Sequence, residues 1–509
     1  MDRTKIYLKN LTANWVGYVA NLLIMFFMSP FVIHSLGDVK YGIWSIMMTF
    51  TGYLGLVEIG TRGGVGRFIN YYLGKGDIQR LNGIINTGLA IFVATGLVML
   101  MVSLALAFVL EFIFPKIPDQ HIVETRIVLF LVAVNVWVSF LTAVFRQVLE
   151  AHERFELRNA IDLGVLFFRS GLFIIILISG YGIVALGIIH TIGGISGLFL
   201  SYFLARKIFS NLKITPKHIS KYRFTELFGF SVWAFIGNIS YRLLYTTDNI
   251  VIGIFLGPKW VTYYAVGGML LFRSRALINQ FTQVFSPKLM QDCAKKDFES
   301  LQVLFQKGSN LNMVICILVF IGMISFGKEF IILWMGDQFK ISYDILAILT
   351  AGTFLSVAFQ MGGPIYAGLN KVKIQALLNL TQGFVNLILT LFFVMYLKWG
   401  IIGVAWGSFY PRILWSIILG VIAMRLINIK PLNFFHKYIL KWLYLSLSFY
   451  LLCYVVNLLV LSDGWINFFI KIIICTIIYI PLAWFTLFNL RERIDIIKQM
   501  NCFIKSKKN

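Results

Sequence analysis

The stretch Leu89–Val109, LAIFVATGLVMLMVSLALAFV, carries no charge and nothing more polar than Thr95 and Ser103. Its length matches the roughly 20 apolar residues that a helix needs to cross a bilayer. Runs of this kind recur along the whole chain. Of its 509 residues 59% are hydrophobic and 13% are charged, against about 25% charged in an ordinary soluble domain. There is too little polar surface to coat a soluble globule. The alternating segments of about 10 residues that mark membrane β-barrels do not fit either, so an all-α integral membrane fold is expected.

Breaking the apolar runs at charges, Gly and Pro yields fourteen expected transmembrane helices. Six lie near 11–33, 41–70, 84–113, 124–148, 159–179 and 182–205. Six more lie near 226–255, 261–287, 309–333, 344–368, 374–396 and 400–424, and a last pair near 438–460 and 465–488. The basic N-terminus, MDRTKIYLKN, runs directly into the first span with no A-x-A-like cleavage site. It reads as the start of a transmembrane helix rather than as a removable signal.

A net charge of +23 would suggest nucleic acid in a soluble chain. Here its distribution points elsewhere. With the N-terminus in the cytoplasm, 31 of the 45 basic residues fall on the cytoplasmic side, 7 on the opposite side and 7 inside spans. That asymmetry follows the positive-inside rule and places both termini in the cytoplasm. No nucleic-acid partner is expected. The five cysteines form no CxxC pair and the histidines are dispersed, so neither a metal site nor a disulfide framework nor a cofactor is expected.

The longest polar connection, Arg206–Thr225, separates the first twelve spans into two groups of six, and the groups match. Leu36-Gly37 corresponds to Leu256-Gly257, and Asp77-Ile78 with Leu81 to Asp297-Phe298 with Leu301, all at an offset of 220. VLEAHERFEL (148–157) aligns with IYAGLNKVKI (365–374) at 217, and Tyr181-Gly182-Ile183 with Trp399-Gly400-Ile401 at 218. Six spans is an even number, so both copies run in the same sense, as in transporters built from parallel repeats. The expected organisation is an N-terminal bundle (1–206), a basic cytoplasmic linker (207–225), a C-terminal bundle (226–425), two additional helices (426–490) and a basic tail (491–509). The bundles are expected to surround a central cavity.

Charges within spans are costly, about 2.5–3.5 kcal/mol each on insertion scales, and usually face a cavity or a partner. Here they are Glu58, Arg62, Asp162, Arg169, Arg242, Asp248, Arg273, Arg275, Arg412 and Lys471. Glu58 and Arg62 stand four apart on one helical face, which suits an ion pair. Arg273 and Arg275 point about 200° apart, so one of them is expected to face a cavity. Lys471, near a span end, is expected to snorkel. Asp162 and Arg169 share a face but lie two turns apart. The surplus of Arg favours an anionic ligand, because guanidinium keeps its charge and bonds phosphate oxygens in pairs. The glycine-rich run Thr61–Arg67 lacks a GK[ST] ending and reads as helix packing. Trp15, Tyr18 and Trp233 could line a sugar path.

Asn14-Trp15, Pro30, SLGDVKYGIWS (35–45), TGYLGLVEIGTRGGVGRFI (51–69) and GKGD (74–77) together resemble the polysaccharide-transport (Wzx-type) flippases of the multidrug/oligosaccharidyl-lipid/polysaccharide (MOP) superfamily. The resemblance implies movement of an undecaprenyl-diphosphate-linked oligosaccharide (an O-antigen, capsule or exopolysaccharide unit) across the bacterial cytoplasmic membrane. It further implies alternating access, a cationic lumen for the head group, a lipid tail kept in the bilayer, and coupling to H+ or Na+. A polysaccharide polymerase and a chain-length regulator are implied partners. The drug-extruding branch carries acid in its first span, whereas this chain has none between Leu11 and Gly37.

Arg62, Arg242, Arg273 and Arg412, with Arg169 and Arg275, are therefore expected to bind the anionic head group. Glu58, Asp248 and Asp162 are the expected ion-coupling groups or charge partners. No catalytic residue is expected. An ion-coupled drug or metabolite exporter is the alternative within transporters. A membrane glycosyltransferase or polymerase is the alternative among enzymes, which the short connections near 114–123 and 334–343 disfavour. A scaffold without transport is a third.

Overall fold

The computed structural model describes residues 3–219, 232–461 and 464–487, with the side chains of 3–16, 18, 57–62, 218 and 232–234 excepted. Among the described residues the chain is helical and contains no strand, as the apolar runs require. A bilayer core offers no water to backbone polar groups, and a helix satisfies them internally. Among the described residues eleven helical segments are long and apolar enough to cross a membrane. The first, Val19–Leu54, runs through Gly37 and so joins the first expected span to the opening of the second. The described part of 226–255 is interrupted at Thr246, and 261–287 lies inside a less apolar helix carrying Arg273 and Arg275.

The chain divides into two compact units, Met1–Thr262 and Tyr263–Asn509. The first contains α1 (Arg3–Leu54), α2 (Leu56–Gly74), α3 (Ile78–Phe108), α4 (Ile122–Ala151), α5 (Phe155–Ile178), α6 (Ile183–Ile208), α7 (Val232–Tyr245) and α8 (Thr247–Phe255). Within α1 the helix turns at Gly37, whose φ of 77° is open to a residue without Cβ. The central helix is α4. Its Val128, Val132, Val136, Phe140, Val144 and Val148 are all buried, a row at i, i+4 spacing that forms one packing ridge. Residues such as Phe108, Ile178 and Phe199 are exposed and meet lipid.

The break between α7 and α8 has a local cause. Thr246 donates from both its backbone N–H and its Oγ1 to the Arg242 carbonyl, each at 2.9 Å, and Thr247 Oγ1 adds a third bond at 3.2 Å. The threonine hydroxyls thus crowd onto a carbonyl that already accepts its helical bond, a back-bonding that bends helices.

The second unit contains most of α9 (Pro258–Lys295), then α10 (Phe298–Met335), α11 (Lys340–Ala358), α12 (Val372–Leu391), α13 (Gly400–Leu426), α14 (Leu440–Leu459) and α15 (Gly464–Leu487). In lipid, association rests on close packing and hydrogen bonds. Accordingly α12 and α13 cross at Gly407, where a Cβ would come within 2.6 Å of the Thr390 Cα, and Asn386 Nδ2 donates to Ser408 Oγ at 2.7 Å. The α14–α15 hairpin docks along α10 through polar steps. Tyr438 donates to Gln306 (2.8 Å), Trp442 to Asn310 (2.9 Å) and Tyr479 to the Val314 carbonyl (2.6 Å).

The repeat appears in the backbone as well as in the residues. Left-handed φ values occur at Gly76 and Lys296, at Glu153 and Asn370, and at Gly180 and Lys398, the same offsets that relate the sequence motifs. Asp77 and Asp297 both cap the following helix, accepting from the N–H of Arg80 at 2.9 Å and of Ser300 at 3.1 Å. The chain leaving the sixth helix of each half is tied back to its third. Asn82 and Asn86 of α3 exchange four bonds of 2.7–2.9 Å with Asn211, Lys213 and Thr215. In the second half Gln302, at the position matching Asn82, donates to the Ile427 carbonyl at 2.9 Å.

Candidate functional site

In the first unit, Arg169 lies midway along α5 with its aliphatic stem on α6: a Cβ at Gly193 would lie 3.7 Å from the Arg169 Cδ. Three residues before Gly193 on the same helical face is His190, which feels the Arg169 charge. The His190 Nδ1 is buried and, among the described residues, has no hydrogen-bond partner. Its ring stands edge-to-face against Trp44 of α1, centroids 5.9 Å apart. Asn135 of α4 donates to the His190 carbonyl at 2.8 Å. Four helices therefore converge on one polar spot within an apolar bundle.

Arg242 sits at the end of α7, where its guanidinium lies against the backbone of α1. A Cβ at Gly52 would come within 2.5 Å of the Arg242 Nη1, so only glycine leaves room for it. Around it Tyr53 and Thr247 share a short hydroxyl–hydroxyl bond, and Asn249 Nδ2 donates to Thr49 Oγ1 at 3.1 Å. Asp248 is buried in the first turn of α8, where a helix N-terminus favours negative charge. Among the described residues neither Arg169 nor Arg242 forms an ion pair.

The other expected site residues are distributed differently. Asp162 does not reach Arg169. It pairs with Arg146 and lies 3.9 Å from Arg158, which also binds Glu150 at 2.7 Å. In the second unit Arg412 is 4% exposed, donating to Thr353 at 3.4 Å. Arg273 is exposed and Arg275 half-buried. The side chains of Glu58, Arg62, Trp15, Tyr18 and Trp233 lie outside the described residues.

Lys471 does not snorkel. It is wholly buried and donates to Glu329 Oε2 at 2.9 Å and Asn457 Oδ1 at 2.8 Å. A carboxylate and an amide inside the protein stabilise the ammonium where the lipid interface was expected to. Beside this cluster, a mostly apolar cavity of about 420 Å³ opens among α9, α10 and α15, lined by Leu270, Met323, Phe330, Phe468, Cys475 and others.

His190, Asn135 and Glu329 were missed from sequence alone. A lone His or Asn in an apolar run carries no spacing signal, and Glu329 lies close enough to Lys328 to read as part of a loop.

Similarity to known proteins follows this geometry. The chain resembles the uncharacterized membrane protein EpsK of Bacillus subtilis (strain 168), with 21% identity over 492 residues, 96% of this chain and 97% of that one. It also resembles a putative O-antigen transporter of Shigella flexneri, 22% identical over 405 residues, 78% of this chain and 93% of that one. Its fold matches lipid II flippase MurJ in an inward closed conformation, with a TM-score of 0.72 at 16% identity, covering 94% of this chain and 98% of that one. An inward-facing multidrug resistance MATE family transporter of the MOP superfamily matches with a TM-score of 0.66 at 14% identity, covering 81% and 94%. The two structural likenesses show the helical membrane fold. Residues 7–291, more than half of the chain, match the family described as polysaccharide biosynthesis protein, and to that family this chain belongs.

Proposed function

We propose that the protein is a flippase moving an undecaprenyl-diphosphate-linked oligosaccharide, the repeat unit of an O-antigen, capsule or exopolysaccharide, across the bacterial cytoplasmic membrane by alternating access. One observation carries this reading: Arg169 and Arg242 stand within helices of the first unit and, among the described residues, meet no carboxylate. A guanidinium in that setting is poised for an anion that arrives and leaves, and its paired donors fit a diphosphate. Arg62, Arg273, Arg275 and Arg412 are further head-group contacts in this reading. Glu58, Asp248 and Asp162 are the charge partners or the H+ or Na+ coupling groups. Asp248 has the strongest claim, being buried at a helix N-terminus. The family membership and a relative named as a putative O-antigen transporter favour a glycan cargo. The apolar cavity beside α15 offers a surface for a prenyl chain. Both termini face the cytoplasm, no bond is made or broken, and the polymerase and chain-length regulator act on what the flippase delivers.

The test is genetic. In a strain lacking the endogenous protein, Arg169→Ala and Arg242→Ala, alone and combined with Arg273→Ala, should abolish surface polysaccharide while membrane levels of the protein persist. Normal polysaccharide in every variant, the combinations included, would overturn the assignment.

A further inference from the structure

The polar spot around Arg169 holds a second group capable of positive charge. We propose that His190 and Arg169 form one anion site in which the imidazole takes up a proton as a diphosphate diester settles on the guanidinium. This rests on the head-group role given to Arg169 above and adds to it a proton linked to binding.

The geometry supports the pairing at three points. Arg169 stands nine residues before the end of α5 and His190 seven after the start of α6, so both lie roughly 10–14 Å from the same end of their helices. The Arg169 stem runs past Gly193 on the face that also bears His190. Among the described residues the His190 Nδ1 is buried without a partner, and burying such an atom is unfavourable unless some state of the molecule satisfies it. Trp44, edge-on to the ring, and Asn135, bonded to the carbonyl of His190, hold it in place without supplying a counter-charge.

The helices packed on α6 are α1, α4 and α5, and among the described residues Arg169 of α5 is a charged group whose field reaches His190. Lys40 of α1 and Glu124 of α4 pair with each other at 3.8 Å beside Gly182, eight residues or about 12 Å along the helix. Arg126 is bound to Glu111 at 2.8 Å. Arg146, Glu150, Arg158 and Asp162 form their own network toward the opposite end of α4 and α5. Two like charges in one polar spot repel. An anion between them reverses that balance. The proton comes from water, and the imidazolium then carries an N–H on each ring nitrogen. Histidine suits this role because its ordinary pKa of about 6.5 lies within the physiological range.

The experiment uses the purified full-length chain in detergent and UDP-glucose, a soluble diphosphate diester with no proton to gain or lose between pH 6 and 8. Calorimetry in buffers of different ionisation heat reads affinity and proton uptake together. The wild type should bind three- to tenfold more tightly at pH 6 than at pH 8 and take up as much as one proton. His190→Gln and His190→Asn should bind with an affinity independent of pH and with no proton uptake. Proton uptake that persists in both variants overturns the proposal. So does loss of binding by both at pH 8 as well as pH 6, which would make His190 a contact without a titration. Arg169→Ala should bind at least tenfold more weakly at both pH values. Unchanged binding there would instead overturn the head-group reading itself.

Discussion

Replacing Lys471 by Met leaves a carboxylate stranded inside the second unit. Lys471 is fully buried, Glu329 nearly so, and they meet at 2.9 Å. Among the described residues Glu329 Oε1 already lacks a partner, so in Lys471→Met neither carboxylate oxygen keeps one from this cluster. Breaking a buried pair by removing one partner costs about 3–5 kcal/mol. The double variant Lys471→Met/Glu329→Gln removes both charges and should fall within about 1.5 kcal/mol of wild type, a coupling of at least about 2 kcal/mol. Unfolding in mixed micelles with rising SDS, followed by tryptophan fluorescence, measures wild type, Lys471→Met, Glu329→Gln and the double variant. A single variant within 1 kcal/mol of wild type at pH 7, or a double variant as unstable as the single, would refute the reasoning.

Three further outcomes are expected. Gly96→Ala should destabilise by more than about 2 kcal/mol, since its Cβ would fall within 1.8 Å of the Trp137 ring and overpacking costs about 1–3 kcal/mol or more; Gly164→Ala, with nothing within 4 Å, should instead gain up to about 1 kcal/mol of helix propensity, both read in the same micelle titration. Asn82→Ala with Asn86→Ala removes four bonds to the segment after α6, and limited proteolysis should cut between 209 and 215 at least tenfold faster while the spans stay intact. Bonds from Lys288 and then Ser300 hold the Asp292 carboxyl below its ordinary value of 3.8. The stability it contributes is present above that value and lost as the pH falls through the lower folded one, so the gap in melting temperature between wild type and Asp292→Asn should narrow below about pH 4.

The fold was legible wherever its cause was local. Apolar runs such as 89–109 specify a helix in lipid, and the paired turns around Asp77 and Asp297 follow from short residue patterns that a helix cap requires. The interruptions were harder to read. The break at Thr246 depends on hydroxyls turning back to Arg242, a choice that hydropathy does not record. The candidate site was half legible. Arg169 and Arg242 stand out in any apolar helix, but their surroundings do not. Asp162 shares a face with Arg169 but stands two turns from it, and its actual partner, Arg146 of the preceding helix, carries no spacing signal. Lys471 meets Glu329 at a separation of 142 residues, so its burial is a property of packing that no window along the chain contains.

The ties from α3 to residues 211–215 and from α10 to Ile427 have a consequence for biosynthesis. Each half fastens its own trailing end to its own third helix, like a garment closed by a clasp sewn on the same piece. The bonds that tie residues 211–215 to α3 can therefore form while the second half is still on the ribosome. Membrane insertion need not wait for the whole chain, and a half that has closed early presents fewer unpaired polar groups to the wrong neighbours.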